Sequence, residues 1–413
     1  MSVRFASALV VIGLASTVVR ADTPDQLPDP LRLADVIALA RGHRAEILAA
    51  NARARAAAER PAIVSALDDP MIVPSIDHVP FRGGGADWSV VVRQSFPLSA
   101  IRGHRERAAR AEAAGVAADA DRIELDVELE AAAAFLMLRE NRQLAIILAE
   151  QKSLAVQFVS AATAHYGAGH GSQAEVRRAE IEVARLDGEL NAKAAEVRAA
   201  VAMLDTSIGR SPDLAIGELE APPTDEPPTQ ATIAEAALSR RPELRVGRAE
   251  VDRAREEVSA MDDMYKPMAM VQTGPSYTMA DGAGWMVMVG VSVPLWRGKL
   301  RAGVAEARAM TETTEQDLAA MRLTVVGDAV VARERVIAAR ARLLSLRDEV
   351  VPRAKAAIEP TLVEYTNNQL PLVSVLEAAQ VLWAAQMDLA AAERELGLAS
   401  ARLARATGKG ALP

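Results

Sequence analysis

Cysteine is missing from all 413 residues, so the chain can hold no disulfide, no thiolate metal site, no cysteine nucleophile and no N-terminal lipidated cysteine. Aromatic residues are almost as scarce. Five Phe, four Trp and four Tyr amount to 3% of the sequence, which excludes a core built mainly on ring packing. Positive charge is also in deficit: the formal net charge is -8, with no basic tail and no RNA-type aromatic motif, so no nucleic-acid partner is expected. What the chain does have is 50% hydrophobic and 25% charged residues. That balance rules out a disordered polymer, and the wealth of Ala, Leu, Glu and Arg favours long, closely packed helices.

The amino terminus reads as an export signal. Arg4 gives a thin positive start, Phe5 to Val19 is an uncharged and mostly apolar run, and Val19-Arg20-Ala21 closes it. A signal peptide over residues 1–21 is expected, because a run of about 15 residues falls short of the roughly 20 that a spanning helix needs. No later run reads as an apolar spanning helix. A membrane form of the mature chain would therefore cross as strands.

The sequence repeats itself. Asp87-Trp88-Ser89-Val90-Val91-Val92 and the segment on to Phe96-Pro97-Leu98 match Gly284-Trp285-Met286-Val287-Met288-Val289 and on to Val293-Pro294-Leu295. Glu46 to Ala54 matches Glu243 to Val251 at nearly the same offset, and Tyr166 with its polar turn matches Tyr365 with its own. Each unit reads helix, two strands, very long helix, tight turn, helix. In the first, a helix is expected over about 31–66 with a kink at Pro61, then strands over Met71 to Val79 and Trp88 to Phe96 around a glycine loop at Gly83-Gly84-Gly85. From Ser99 to His165 there is no proline, so a single rod of roughly 100 Å follows. The corresponding rod from Arg297 to Leu362 contains Pro352 and Pro360, where kinks or a break are expected. The stretch Pro222-Pro223-Thr224-Asp225-Glu226-Pro227-Pro228 joins the two units as an extended linker.

The strands carry a membrane pattern. Trp285, Val287, Val289, Val291 and Val293 alternate with Met286, Met288, Gly290 and Ser292, while Trp88, Val90, Val92 and Phe96 alternate with Ser89, Val91, Arg93 and Ser95. A valine face ending in tryptophan suits lipid and its interface; a face with Arg93 and serines suits a watery lumen. A small soluble sheet with one buried face is the ordinary alternative. Four strands cannot close a barrel, and a spanning sheet tolerates no open edge. Three copies would supply twelve.

With its duplicated unit, the strand-to-helix passages Phe96-Pro97-Leu98 and Val293-Pro294-Leu295-Trp296, and the turns Tyr166-Gly167-Ala168-Gly169-His170-Gly171-Ser172-Gln173 and Tyr365-Thr366-Asn367-Asn368-Gln369-Leu370-Pro371-Leu372, the sequence resembles the TolC-type outer-membrane efflux protein family. The resemblance covers the mature chain. It implies a mainly α fold with membrane β: a homotrimer with a 12-stranded outer-membrane β-barrel and a long periplasmic α-helical barrel. Residues 22–208 and 231–399 are then the two repeats, and residues 209–230 and 400–413 an equatorial linker and tail. Asp69-Pro70, Lys266-Pro267-Met268 and the passage from Pro294 to Lys299 resemble the heavy-metal branch of the CzcC and CusC kind. The implied function is passive exit of metal ions or small toxic compounds through the outer membrane. A resistance-nodulation-division pump in the inner membrane and a periplasmic adaptor deliver them. The implied partners are two further copies, the adaptor, the pump and outer-membrane lipid. A pore-less periplasmic coiled-coil adaptor or scaffold is the alternative; it would normally carry a β-rich lipoyl-like segment, which is not found.

The tip turns are where an adaptor would dock, through Tyr166, Gly167, Gly169, Ser172, Tyr365, Asn367, Asn368 and Leu370. The resemblance also makes Glu175 and Glu364, close to those tips, candidates for a periplasmic gate. Seven of the 14 methionines lie between Met261 and Met288. Thioethers take soft ions such as Cu(I) or Ag(I), and Met286 and Met288, opposite the valine face, are the candidate metal residues; apolar filler is the competing role. The histidines His43, His78, His104, His165 and His170 show no ligand-pair spacing, and His165 and His170 read as solvated residues beside a turn. The Gly-x-Gly-x-Gly run at Gly167 to Gly171 has no preceding strand and no Gly-Lys-Ser/Thr ending, so it reads as a helix-hairpin turn. Glu124, Asp126, Glu128, Glu130 and Glu377 read as solvated faces or helix ion pairs. No nucleophile-base constellation or metal triad points to an enzyme, and no cofactor is expected.

Overall fold

A computed structural model describes residues 27–79, 85–212, 215–221 and 225–410. The expected signal peptide, residues 81–84 of the glycine loop, residues 222–224 of the linker and the last three residues of the tail lie outside the described residues. The first repeat comprises α1 (Leu33–His43), α2 (Ala45–Ser65), β1 (Met71–His78), β2 (Asp87–Pro97), α3 (Ile101–Gly167) and α4 (Gln173–Ser207). The second comprises α5 (Gln230–Arg240), α6 (Pro242–Asp263), β3 (Met268–Thr278), β4 (Gly282–Ser292), α7 (Arg297–Ser345), a π-turn (Leu346–Val350), α8 (Val351–Thr366) and α9 (Leu372–Ala406). The chain is mostly helical with one small antiparallel sheet. Residues 400–406, assigned to the tail by resemblance, form the last two turns of α9.

The helix expected over 31–66 is two helices, and the break falls at Arg44 rather than at Pro61, which sits inside α2. The cause is a side chain. Arg44 adopts an extended backbone (φ -69°, ψ 123°), and its guanidinium donates to Glu46 at 2.9 and 3.0 Å, to Glu130 at 3.0 Å and to the Ser207 carbonyl at the end of α4 at 3.2 Å. Arg241 repeats the arrangement between α5 and α6: it donates to Glu243 at 2.9 and 3.1 Å and to the Ala406 carbonyl at the end of α9 at 3.4 Å. Each long helix therefore has its C-terminal carbonyls capped from the short helix pair of its own repeat. Beyond these carbonyls stand Gly209 (φ 77°) and Gly408 (φ 66°). A Cβ there would come within 3.0 Å of the His43 carbonyl oxygen and 2.8 Å of the Arg240 carbonyl carbon, so both the handedness and the space demand glycine.

The first rod, α3, runs unbroken for 67 residues. In the second rod the expected disturbance appears just before Pro352, where the Val351 amide reaches back to the Leu346 carbonyl. Proline has no amide to continue the α pattern, and the wider turn accommodates that loss. Since α3 starts beside the sheet and ends at a hairpin, sheet and hairpin stand roughly 100 Å apart. Three apolar clusters fill the interval. Val36 and Ala40 of α1 pack with Phe135 and Leu138 of α3 and Leu204 of α4; Ile233 and Leu244 pack with Val325, Val336 and Leu396; Phe158, Leu186, Tyr365, Val375 and Trp383 pack near the hairpins. Contrary to the sequence reading, one stretch of α3 does reach the length and hydropathy of a spanning helix. Within α3, Phe135, Leu138 and Phe158 are fully buried against other helices.

The paired arginines tie stability to acidity. The Arg44 side chain holds the Glu46 carboxyl below its ordinary range. Burial acts to raise Glu243, yet Arg405 and Arg241 outweigh it and hold that carboxyl low as well. A carboxyl depressed in the folded state contributes stability above its unfolded value and loses it as pH falls through the folded value. Thermal unfolding monitored by circular dichroism is therefore expected to hold steady above about pH 5 and to fall below about pH 4.5. Glu243→Gln should reduce the difference.

Candidate functional site

The sheet has the order β1-β2-β3-β4, antiparallel throughout. Its register joins the two repeats, with Trp88 opposite Tyr277 and Phe96 opposite Ala269, and pairs Val289 with Val271. One face thus collects Ile72, Ile76, Val90, Val92, Val271, Val287, Val289 and Val291, all exposed. Trp285 and Val289 are each 69% accessible. At the hairpin end of this face Trp88 and Tyr277 stack at 6.2 Å, and the Trp285 indole donates to Thr273 at 2.8 Å. Phe96 marks the helix end, and beyond β4 Trp296 stands exposed. The rise between positions 88 and 96 is roughly 26 Å, the height of a lipid-facing band between two aromatic girdles. Gln94, which interrupts the apolar series on β2, is satisfied by donating to the Asp68 carbonyl at 2.8 Å.

The opposite face is polar and tighter. Ser75 and Ser89 share a hydrogen bond of 2.7 Å, and Arg93 donates to Gln272 at 2.8 Å. Gly274 lets β2 and β3 touch backbone to backbone, since a Cβ there would lie 2.1 Å from the Val90 oxygen. Met286 and Met288 fall on this face, and the register adds two residues that sequence reasoning did not single out: Met270 opposite Gly290 and Met268 opposite Ser292. Met270 and Met288 are diagonal neighbours, within reach of two long side chains. Strand pairing, which a one-dimensional reading lacks, is what gathers them.

The hairpins at the far end are built on one plan. In the first, the amides of Ala168, Gly169 and His170 donate to the carbonyls of Ala164, Tyr166 and His165; in the second, Asn367, Asn368 and Gln369 donate to Val363, Tyr365 and Glu364. Gly169 (φ 77°) and Asn368 (φ 63°) occupy the same left-handed position. Ser172 then caps α4, accepting from the Glu175 amide at 3.3 Å. Tyr166, Gly167, Gly169, Ser172, Asn367 and Asn368 are exposed, and Leu370 is half-buried. Tyr365 departs from the expectation. It is 1% accessible and belongs to the apolar cluster with Phe158 and Val375, so it offers a partner no side chain.

The two histidines also part company. His170 is exposed, but both ring nitrogens of His165 are buried without a hydrogen-bond partner, so His165 is not the solvated residue that its place beside a turn implied. Its ring lies 4.7 Å from that of Tyr365 and 6.0 Å from that of His170. The Tyr365 hydroxyl and Oε2 of Glu175 are buried and unpartnered in the same place. Burial, and secondarily the Glu175 charge, push the Tyr365 hydroxyl above its ordinary value. Glu364, by contrast, is exposed and takes no part. Among the described residues no group of three His, Cys, Asp or Glu is placed to hold a metal ion.

Residues 233–409 match the family described as "Outer membrane efflux protein". Over that segment the chain is similar to the outer membrane efflux protein family. The matched segment is the second repeat, and the first repeats its elements in the same order. Among relatives of the family, BepC, an outer membrane efflux protein of Brucella suis biovar 1 (strain 1330), is 27% identical over 292 residues, 68% of this chain and 62% of BepC. The chain therefore aligns with somewhat under two thirds of that relative's length. The fold is that of the outer-membrane channel OprN (TM-score 0.80, 18% identity, 92% of this chain and 91% of OprN) and of CusC (TM-score 0.80, 12% identity, 92% of each).

The left-handed turn positions make a direct test. Nothing lies within 4 Å of a Cβ at Gly169, so Gly169→Ala should cost only the backbone term, about 1 kcal/mol. Asn368→Gly should cost nothing. Amide hydrogen exchange at residues 168–171 and 367–370 reads the two effects separately.

Proposed function

We propose that the protein is the outer-membrane exit duct of a tripartite efflux system. One observation carries this reading. The sheet has an apolar outer face about one bilayer core in height, and among the described residues β1 and β4 each pair on one side only. An open-edged sheet cannot lie in lipid, whereas three chains of four strands close a barrel of twelve. The polar face then lines the lumen, and the helical rods continue the passage into the periplasm. Conduction is passive: an inner-membrane pump of the resistance-nodulation-division class supplies the energy, and a periplasmic adaptor docks on the exposed turn residues Tyr166, Gly167, Gly169, Ser172, Asn367 and Asn368. Glu175, held between the two hairpins, is the gate residue; exposed Glu364 is a weaker candidate. The cargo is metal ions or small toxic compounds. Met286 and Met288, with Met270, give soft cations a thioether surface to pass.

The mature chain, expressed with its leader, should fractionate with outer membranes and run on unheated gels as a trimer that heating dissociates. A monomer soluble without detergent would overturn the reading. Replacing Gly169 and Asn368 together by Trp should abolish resistance to the cargo while the trimer band persists, and undiminished resistance would remove the docking assignment. Silver binding by calorimetry should weaken in a Met286→Ala, Met288→Ala protein; unchanged binding would discard the thioether surface.

A further inference from the structure

The hairpin interior contains a set of polar atoms with no use in a purely structural seam. His165 closes α3, Glu175 opens α4 and Tyr365 closes α8. Four of their polar atoms, His165 Nδ1 and Nε2, Glu175 Oε2 and the Tyr365 hydroxyl, are buried and unpartnered. Leaving such groups unsatisfied costs on the order of 1–3 kcal/mol each. Gly171 shows how close two of them stand: a Cβ there would be 3.1 Å from Glu175 Oε2 and 3.3 Å from His165 Nδ1. The two groups flank one bare glycine.

Imidazole is the side chain whose charge ordinarily changes between pH 5 and 8. A neutral ring at His165 has one donor and one acceptor and leaves the acidic site without a counter-charge. A charged ring has two donors and faces the Glu175 carboxylate in a partly dehydrated setting, where opposite charges attract more than in water. We propose that His165 is a proton site that bolts the two hairpins together: charged, it binds Glu175 of α4 and backs the Tyr365 ring of α8; neutral, it releases both, so the tip parts more readily towards neutral pH. This rests on the reading of the tip as a gate and names what regulates it.

The surroundings support that sign. From α4 the facing charge is Glu175, from α8 the facing titratable group is Tyr365, and α9 brings apolar Leu372, Val375 and Leu376. The turn brings His170 at 6.0 Å; once charged it repels His165, but it is exposed and screened by salt. Arg178 of α4 and Glu364 of α8 are exposed. The nearest full charge is therefore negative. A charge on the ring therefore favours the joined tip.

The absence of cysteine makes the test clean. In the full-length protein in lipid, Ala168→Cys and Val373→Cys carry spin labels on exposed positions of the two hairpins, diluted with unlabelled protein. At pH 5.5 a single short separation is expected. By pH 7.5 a longer one should appear, the ratio of parted to joined tips rising about tenfold, within the limit of tenfold per pH unit for one proton. His165→Gln should make the distribution independent of pH, Glu175→Gln should do the same, and His170→Gln should leave the response in place. A wild-type distribution that does not change with pH, or a His165→Gln protein that still responds, overturns the proposal. Label separation is read without conduction, so a protein that responds to pH yet never conducts would sink the duct and leave the proton site standing.

Discussion

An antiparallel sheet of four strands, whose outer two pair on one side only among the described residues and whose outer face is rich in valine, is unstable in both of the solvents available to it. In water it exposes a broad apolar surface, and in lipid it leaves two rows of backbone groups unpaired. Most of the rest of the molecule can be understood as serving this constraint. The register that joins β2 to β3 fuses the repeats into one continuous four-stranded sheet, and Gly274 lets their backbones meet closely enough to do so. The helices begin a few residues beyond the strands and run on from the sheet as long rods.

What holds the rods in place is polar and local. Arg44 and Arg241 each turn a short helix against a long one, take a carboxylate two residues on, and finish the last turn of α4 or α9. Apolar packing alone would let these Ala-rich helices slide, because small side chains make shallow ridges. Hydrogen bonds of fixed geometry at the waist supply register that the packing does not.

The strands, the unbroken α3 and the two tip turns were legible in the sequence because each depends on neighbours in the chain: alternation, freedom from proline, a glycine or asparagine after tyrosine. The break at Arg44 was not, since its cause lies at Glu130 and Ser207. Apolar spacing passed straight through it. At the candidate site the same division holds. Met286 and Met288 could be put on one face by counting in twos, but Met270 joins them only through strand pairing. His165 beside a run of glycines looked like solvent-facing residue, and only the packing of α8 against α3 reveals that it is enclosed. Tyr365 was misplaced for the same reason: repeat logic made it the twin of Tyr166, and the tertiary setting made it core.

The π-turn at Leu346–Val350 explains that inequivalence. The second rod, Arg297–Thr366, is three residues longer than the first, Ile101–Gly167. A helix advances about 100° per residue. The wide turn takes up one of the three, and the others change the rotational phase of what lies beyond it. Two hairpins descended from one design thus meet the tip out of phase, the first with its tyrosine facing outwards and the second with its tyrosine facing inwards. Duplication supplied the parts, and a single dislocation in the winding gave one hairpin an outer surface to offer and the other an inner seam to close.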